Sequence, residues 1–282
     1  MPRSDNFYFD PLVFYEPDSL KARLDLYMEI PAEKVLFKKN NNSGKYESSF
    51  SISVLITNSL SDKIINESYT KTPSFTEEEM KIVSKKSQFF LYNYYLPPGT
   101  YKIQIKLKDN YSNSEYPKSG DFIVKDLNAS AITFSDLMLL SKFSISDNGT
   151  KEITPLISKN IFGLKEFYIF FEIYSAGKED VSKDYAYKII DEKDYVLKEG
   201  QFSYLINPGI NQKTERLFVL NELKRYLPGQ KDFEFFPAEN KPVEIFKLEI
   251  YDKSNNDTVA NKNIYFRSGG PVREMYDRPL MH

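Results

Sequence analysis

The chain has 282 residues, 41% hydrophobic and 15% aromatic, which is enough apolar material for two cores and excludes wholesale disorder. Its 38 basic and 40 acidic residues are interspersed and give a net charge of −2, which argues against nucleic-acid binding. Because cysteine is absent and the single histidine is the terminal His282, disulfides, thiolate zinc sites, cysteine nucleophiles and imidazole-based triads are excluded.

The sequence alone leaves two localisations possible for this protein. No apolar run approaches the ~20 residues that span a bilayer, so the sequence predicts no transmembrane segment. The N-terminal segment that begins at Met1 lacks the apolar region of a secretory signal peptide. The protein is therefore either cytoplasmic, or exported with its signal peptide already removed.

Apolar and polar residues alternate with a period of two in the first half, which predicts β-strands with one buried face. The pattern is clearest over residues 23–30 and 49–56. The predicted inward residues are Leu24, Leu26, Met28, Ile30, Phe50, Ile52, Val54 and Ile56. Between this region and the next strands, Ser74–Met80 offers an N-cap and an acidic first turn, which predicts a short helix at the edge of the sandwich.

A Pro-Pro-Gly corner at residues 97–99 precedes a strand with inward Tyr101, Ile103, Ile105 and Leu107. Tyr101 has two interpretations. It is either a tyrosine corner, whose hydroxyl bonds back to the backbone, or an ordinary core tyrosine. A polar turn from Asn110 to Ser119 and a strand at 121–124 are predicted to close this half.

The second half repeats this alternation. Strands are predicted at 166–174, 185–189, 195–205, 245–252 and 262–267, with a short helical turn at Asn221–Leu227. Segments 101–125 and 246–267 share a plan of strand, Asp, Ser/Asn-rich turn and strand, which we interpret as an internal repeat. The sequence therefore predicts an all-β protein of two tandem immunoglobulin-like β-sandwich domains, at residues 5–127 and 128–267, with a linker-like tail at 268–282.

Several segments resemble the N-terminal β region of GWxTD domain-containing proteins, a bacterial family of the Bacteroidota, Chlorobi and Ignavibacteria. The segments are Phe9–Tyr15, Arg23–Pro31, Leu36-Phe37, Tyr46–Ile56, the corner that ends at Tyr101, Ile132–Leu139 and Phe171–Tyr174. The chain has no tryptophan, so the Gly-Trp-x-Thr-Asp segment of the family is missing. The resemblance implies an exported protein, and the role of the family's helical region does not carry over.

Two turns hold the hard oxygen ligands that calcium prefers. They are Asp252-x-Ser254-x-Asn256-Asp257, and Asp109-Asn110 with Asn113 and Glu115. The first resembles half of a calcium loop but lacks its glycine and its distal glutamate, and hairpin turns require the same residue types. We favour structural turns. Neighbouring carboxylates also fall on turns, whereas acid–base catalysis needs them across a cleft, so we predict no metal, cofactor or catalytic residue.

Five tyrosines on predicted strands are the candidate binding residues: Tyr92, Tyr94, Tyr95, Tyr185 and Tyr187. Exposed rings at these positions would form a surface for a partner protein or a glycan, and the alternative is a structural role in core and rim. We predict a non-catalytic, periplasmic or extracellular scaffold or protein-binding module, as a subunit of an envelope or membrane-associated assembly. The alternative is a carbohydrate-binding or adhesin-type module assisted by calcium. The sequence does not identify the partner or the oligomeric state.

Overall fold

β-Strands make up most of both halves of the chain, and neighbouring strands in its sheets are antiparallel. The computed structural model describes residues 7–16, 22–60, 62–84, 86–126, 130–161, 164–218 and 244–266. The predicted helical turn at Asn221–Leu227 and the predicted tail at 268–282 lie outside these residues. The chain divides between Asp126 and Leu127 into two compact units, which we name the first unit and the second unit.

The first unit contains two principal sheets and one small sheet. Its strands are β1 (Tyr8–Tyr15), β2 (Ala22–Pro31), β3 (Lys38–Lys39), β4 (Tyr46–Glu47), β5 (Phe50–Asn58), β6 (Lys63–Lys71), β7 (Ser74–Phe75), β8 (Ser87–Leu96), β9 (Gly99–Asp109) and β10 (Glu115–Val124). One principal sheet has the order β1-β2-β8, and the other has the order β10-β9-β5-β6. The small sheet has the order β3-β4-β7.

The core of the first unit follows the predicted alternation. The eight predicted inward residues of β2 and β5, and the four predicted for β9, are all buried. On β2, however, the prediction of a single buried face is wrong, because Asp25, Tyr27 and Glu29 on the opposite face are buried as well. Arg23 and Asn93 both hydrogen bond to Asp25 there.

Two connections of the first unit can be compared with the predictions made for them, the corner before β9 and the turn after it. The Tyr101 hydroxyl donates to the Pro97 carbonyl at 2.8 Å, which confirms the tyrosine corner. The closing turn covers only residues 110–114, so the predicted polar turn from Asn110 to Ser119 was too long. The residues from Glu115 onward are polar because they form the outer positions of β10, an edge strand of its sheet.

The predicted short helix is present as α1 (Glu77–Val83). The Thr76 hydroxyl accepts from the Glu79 N–H at 3.3 Å, and the Thr76 N–H donates to the Glu79 carboxylate at 2.8 Å. This reciprocal pair is a capping box, which satisfies two N–H groups at the helix start. None of the residues of α1 is buried, so it forms a surface crossover between β7 and β8.

The second unit also contains two principal sheets. Its strands are β11 (Ile132–Phe134), β12 (Met138–Ile145), β13 (Lys151–Pro155), β14 (Glu166–Ser175), β15 (Val181–Ile190), β16 (Val196–Ile206), β17 (Gly209–Phe218), β18 (Glu244–Asp252) and β19 (Thr258–Phe266). In one sheet, β14 pairs with β17 on one side and with β11 and β12 on the other, and β13 flanks β12. The other sheet has the order β16-β15-β18-β19.

The two units repeat one pairing plan. The order β1-β2-β8 in the first unit corresponds to β12-β14-β17 in the second, and β6-β5-β9-β10 corresponds to β16-β15-β18-β19. The last hairpin of each unit, β9–β10 and β18–β19, contains one of the two segments interpreted as an internal repeat. The principal antiparallel sheets have three and four strands in the first unit and five and four strands in the second, which confirms an all-β fold of tandem immunoglobulin-like sandwiches.

Candidate functional site

The five candidate tyrosines occupy different environments. Tyr94, Tyr185 and Tyr187 are buried, so of the two interpretations given for them the exposed binding surface is wrong and the structural role holds. They occupy inward positions of β8 and β15, where alternation directs them into the cores. Tyr92 is also an inward residue of β8 and is partly buried, whereas Tyr95 faces outward and is exposed. The structure therefore does not bring the five rings together on one surface.

Tyr92 and Tyr94 belong to an aromatic cluster at one side of the first sandwich. The Tyr69 ring of β6 stacks on the Tyr92 ring with 4.2 Å between ring centroids. The Tyr69 and Tyr94 hydroxyl oxygens are 3.3 Å apart, and the Tyr69 hydroxyl donates to the Glu67 carboxylate. Burial raises the pKa of Tyr92 to about 12. These contacts place β6 and β8 at the same side of the sandwich, where the tyrosines close the gap between the sheets.

Tyr185 and Tyr187 are core residues of the second unit. The Tyr185 ring packs edge-on against Phe134 with 5.0 Å between ring centroids, and the Tyr187 ring stacks on Phe202 at 5.5 Å. Burial raises the pKa of Tyr185 to about 12. Both residues therefore pack within the core, which is the structural role given as the alternative to a binding surface.

The outward side of β8 carries the exposed aromatic surface. Alternate residues Phe89, Leu91, Asn93 and Tyr95 all point away from the core, and we name these four residues the β8 stripe. Phe89 is 43%, Leu91 40% and Tyr95 48% exposed. Large apolar side chains aligned on one strand and exposed to this degree are characteristic of contact surfaces. Of the sequence-predicted residues, only Tyr95 belongs to this surface.

A polar network holds the C-terminal half of the β8 stripe in place. The Arg23 guanidinium forms two bonds to the Asp25 carboxylate, at 2.8 and 3.1 Å, and the Asn93 amide donates to the same carboxylate at 2.6 Å. The Tyr95 hydroxyl donates to Glu16 at 3.0 Å, and Arg23 reaches the same carboxylate at 3.4 Å. Because Asn93 and Tyr95 are held by these bonds, less side-chain entropy is lost when a partner binds.

β8 is also an open edge. It pairs with β2 on one side, and no other strand in the described part of the chain pairs with it on the other. The Ala32 N–H donates to the Lys86 carbonyl at 3.0 Å, so the backbone of residue 86 points toward β2. Because backbone direction alternates along an antiparallel strand, the N–H and C=O groups of Ser87, Phe89, Leu91 and later odd-numbered residues point toward the open side.

β8 lacks the charges and prolines that protect the other long edge strands from pairing with other chains. Its ten residues, Ser-Gln-Phe-Phe-Leu-Tyr-Asn-Tyr-Tyr-Leu, include no charge and no proline. Among described edge strands of eight or more residues, the others each carry charge or proline: β1, β6, β10, β16, β17 and β19. Charges and prolines keep exposed edges from pairing with other chains. β17, the counterpart of β8 in the second unit, carries Lys213, Glu215 and Arg216.

The tyrosines of this strand were candidate binding residues on the sequence alone. The absence of charge and proline, which distinguishes β8 from the other long edge strands, was not recognised there. The signal was present, because residues 87–96 form an uncharged, aromatic-rich segment of high β-propensity. Such a segment is harmless in the middle of a sheet. At an edge it leaves one row of backbone groups without a neighbouring strand, and the pairing of the strands decides which of these two positions it takes.

The candidate calcium turn at Asp109 is satisfied by the protein itself. The Asp109 carboxylate accepts from the backbone N–H groups of Tyr111 and Ser112, at 2.7 and 3.0 Å, and from that of Leu36 at 2.5 Å. These bonds are those of an Asp that caps a hairpin turn. Across the described residues, no three His, Cys, Asp or Glu side chains are grouped so that they could hold a metal ion.

The candidate calcium turn at Asp252 is satisfied in the same way. The Asp252 carboxylate accepts from the Ser254 N–H at 2.8 Å, from the Ser254 hydroxyl at 2.6 Å and from the Lys183 ammonium at 3.0 Å. Asn113 and Asn256 each lie four residues after the turn aspartate and have φ of 57° and 62°. Asparagine tolerates this left-handed conformation better than most residues, which explains its presence at both positions.

The turn around Asp252 predicts a pH-dependent contribution to stability. Desolvation raises the pKa of Asp252, but the bonds from Ser254 and Lys183 outweigh it, so the pKa is lowered overall. A lowered pKa means stability that is present above the unfolded value of ~3.9 and is lost as the pH falls through the folded pKa. We expect Asp252→Asn to reduce the free energy of unfolding by about 1–2 kcal/mol at pH 7.

Urea unfolding at neutral and at strongly acidic pH tests this expectation. The difference between wild type and Asp252→Asn should shrink in acid, where the carboxyl is protonated in both folded and unfolded states. Asp257→Asn alters an exposed carboxylate of the same turn and is the control, with a smaller effect expected at both pH values. An equal loss at both pH values would contradict the electrostatic explanation.

No protein-family model matches the sequence, and no curated protein matches it. Solved structures that resemble it include red sea bream transglutaminase, at 6% identity and a TM-score of 0.27, over 94% of this chain and 32% of that one. Bacteroides uniformis β-glucuronidase is 9% identical with a TM-score of 0.29, over 95% and 32%. The chain spans about a third of the length of these proteins. Their activities do not transfer at such identities.

Among the described residues, no helix has the length and apolar character that crossing a bilayer requires.

Proposed function

We propose that this chain is a non-catalytic module that binds protein through the open edge of β8. The observation that carries the proposal is the combination found at this strand. An uncharged edge of ten residues, with backbone groups directed outward, coincides with exposed Phe89, Leu91 and Tyr95. The other long edge strands described carry the charges or prolines that β8 lacks.

Binding at this edge uses strand addition. An extended segment of the partner pairs with the outward backbone groups of β8, and main-chain hydrogen bonds supply much of the affinity. The β8 stripe then contacts alternate side chains of the added strand and supplies specificity. Tyr95 and Arg23 are of the residue types that most often dominate binding energy at protein interfaces, and both belong to one hydrogen-bonded network.

The proposal includes a cellular setting, for which the support comes from the sequence. The resemblance to the β region of GWxTD domain-containing proteins supports an exported protein, periplasmic or extracellular, that acts as a scaffold in an envelope or membrane-associated assembly. The absence of cysteine is compatible with an oxidising compartment, because no free thiol has to be protected there.

The glycan-binding alternative receives no support from the candidate tyrosines. A glycan platform needs exposed ring faces, and of the five only Tyr95 is exposed. The charged turns proposed to bind calcium use their carboxylates to accept hydrogen bonds within the protein. Protein binding at β8 is therefore the function that the geometry supports best.

Site-specific photo-crosslinking in producing cells tests the proposal. A benzophenone side chain replaces Leu91 in the β8 stripe, or Ile123, which is exposed on the edge strand β10 and is the matched control. We expect covalent adducts with a polypeptide at position 91 and few at position 123. Adducts that are absent at 91, or equally abundant at both positions, would overturn the assignment of β8 as the binding edge.

A further inference from the structure

We propose that the polypeptide bound at β8 is a second copy of this chain, paired β8 to β8 in an antiparallel arrangement whose two-fold axis passes through Tyr92. This inference rests on the proposed function and names its partner. The paired edges join two three-stranded sheets into one of six strands, in the order β1-β2-β8-β8-β2-β1. Two-fold contacts of this self-complementary type are the commonest among homo-oligomers.

The order of residues along β8 favours a two-fold partner. The aromatic residues of the strand are Phe89, Phe90, Tyr92, Tyr94 and Tyr95, and their positions are symmetric about Tyr92. Antiparallel pairing centred there places Phe89 opposite Tyr95 of the other copy and Phe90 opposite Tyr94. Cross-strand aromatic pairs each contribute roughly 0.2–1 kcal/mol relative to alanine pairs. A partner of unrelated sequence would not require this symmetry.

Backbone geometry permits the same register. In an antiparallel ladder, residues that exchange hydrogen bonds must both direct their backbone groups toward the partner. Pairing about Tyr92 matches Leu91 with Asn93 and Phe89 with Tyr95, and these odd-numbered residues are the ones directed toward the open side. Tyr92, whose backbone points toward β2, faces its own copy at a non-hydrogen-bonded position. The open edges of two copies are therefore complementary without a shift of register.

Charge favours self-pairing as well. Close to a two-fold axis a residue lies near its own copy, so a charge on the paired strand there meets a like charge. Like charges directly opposite each other destabilise a strand pair. β8 has no charged residue along its ten positions, so no like charges lie directly opposite each other within the strand pair itself. The equivalent strand β17 carries Lys213, Glu215 and Arg216, and a two-fold axis through any of these residues would place that charge opposite its own copy.

The available area is sufficient for a stable dimer. Ten residues of strand extend ~33 Å, and two sheet layers give the side of the sandwich a depth of ~20 Å. The stacked rings of Tyr69 and Tyr92 show that β6 supplies the second layer at this side. Contact over this face would bury ~650 Å² on each copy, or on the order of 1,300 Å² in total, which lies within the range of specific interfaces.

Sedimentation equilibrium of the purified full chain is the first test. We expect a species of twice the 32.9 kDa chain mass, in reversible equilibrium with the monomer. Leu91→Lys places a charge beside the axis and should raise the dissociation constant by at least about tenfold. Ile123→Lys makes the same replacement on β10 and should leave the constant unchanged. Circular dichroism confirms that each variant is folded before it is compared.

Disulfide trapping tests the register, and the absence of native cysteine makes the result unambiguous. Pairing about Tyr92 brings residue 91 of one copy opposite residue 93 of the other, with Cα atoms ~5.5 Å apart, within reach of a disulfide. Identical positions are offset by two residues and lie beyond the ~7 Å limit. A mixture of L91C and N93C proteins should therefore form a cross-linked dimer under mild oxidation, while either protein alone should not.

The outcomes separate this inference from the proposed function. A purified chain that stays monomeric into the sub-millimolar range would overturn self-pairing, even where crosslinking at position 91 in cells captures a different protein. Rapid cross-linking of L91C alone would overturn the register about Tyr92. A dimer that Leu91→Lys and Ile123→Lys weaken equally would place the interface elsewhere. Adducts missing at position 91 in cells, by contrast, would refute the use of β8 in vivo.

Discussion

Phe171→Ala is expected to lower the free energy of unfolding of the second unit by about 3–5 kcal/mol. Phe171 is fully buried on β14, with its ring stacked on Phe134 at 5.6 Å and edge-on to Tyr204 at 6.2 Å between ring centroids. Truncation removes the buried ring and leaves a cavity that neighbouring aromatic rings cannot fill without leaving their own contacts. A loss of this size is a large share of the stability of an ordinary domain.

Hydrogen exchange measured by mass spectrometry locates this effect. Amides in β14 and β18 of the variant should exchange much faster, while those in β5 and β9 of the first unit should keep wild-type rates. Phe170→Ala is the matched control, because it alters a phenylalanine of the same strand that faces the other way and is only partly buried. Equal losses for the two variants would show that the assigned core face of β14 is incorrect.

Gly200→Ala is expected to destabilise the second unit by about 1–3 kcal/mol, although alanine is the better residue for a strand interior. Gly200 of β16 lies opposite Tyr187 of β15, and the Tyr187 ring lies over its backbone. A Cβ atom at Gly200 would come within 2.4 Å of Tyr187 Cε1. The ring would have to move from its stacked position on Phe202, so the steric cost exceeds the gain in strand propensity.

A double-mutant cycle in chemical denaturation tests this explanation. In a Tyr187→Leu background the ring is gone, so Gly200→Ala should lose most of its effect. Gly120→Ala is the control in the first unit, because a Cβ there would meet the Phe9 ring at an ordinary 3.4 Å. It should change stability by less than about 1 kcal/mol. An undiminished effect of Gly200→Ala without the tyrosine ring would attribute the loss to the backbone.

The sequence was a reliable guide wherever local chemistry decides the structure. Alternation along residues 49–56 identified the inward face of β5, because a period of two leaves only one face for apolar side chains. The Pro-Gly corner before Tyr101 and an N-cap within Ser74–Met80 were also predicted, since each depends on a few adjacent residues. The structure places the cap at Thr76 and selects the tyrosine corner from the two interpretations of Tyr101. The turn after Asp109 was placed correctly and its end was not, because polar residues occur both in turns and on exposed edge strands.

Only part of the candidate site could be predicted from the sequence. Tyrosine is equally common in cores and on surfaces, so the residue type could not separate buried Tyr185 and Tyr187 from exposed Tyr95. Their environments depend on the strands that face them across the sandwich, which come from distant parts of the chain. The same holds for Asp25, whose burial requires its contacts with Arg23 and with Asn93 of β8.

By itself, the sequence determined that this protein is all-β, that it contains two sandwiches, and that residues 87–96, which form β8, carry no charge. Only the tertiary structure decided that this strand lies at the edge of a sheet, with the β8 stripe exposed and its backbone groups directed outward. The physical reason is that alternation records whether a side chain faces inward or outward. The position of a strand within its sheet depends instead on which distant segment pairs with each of its sides.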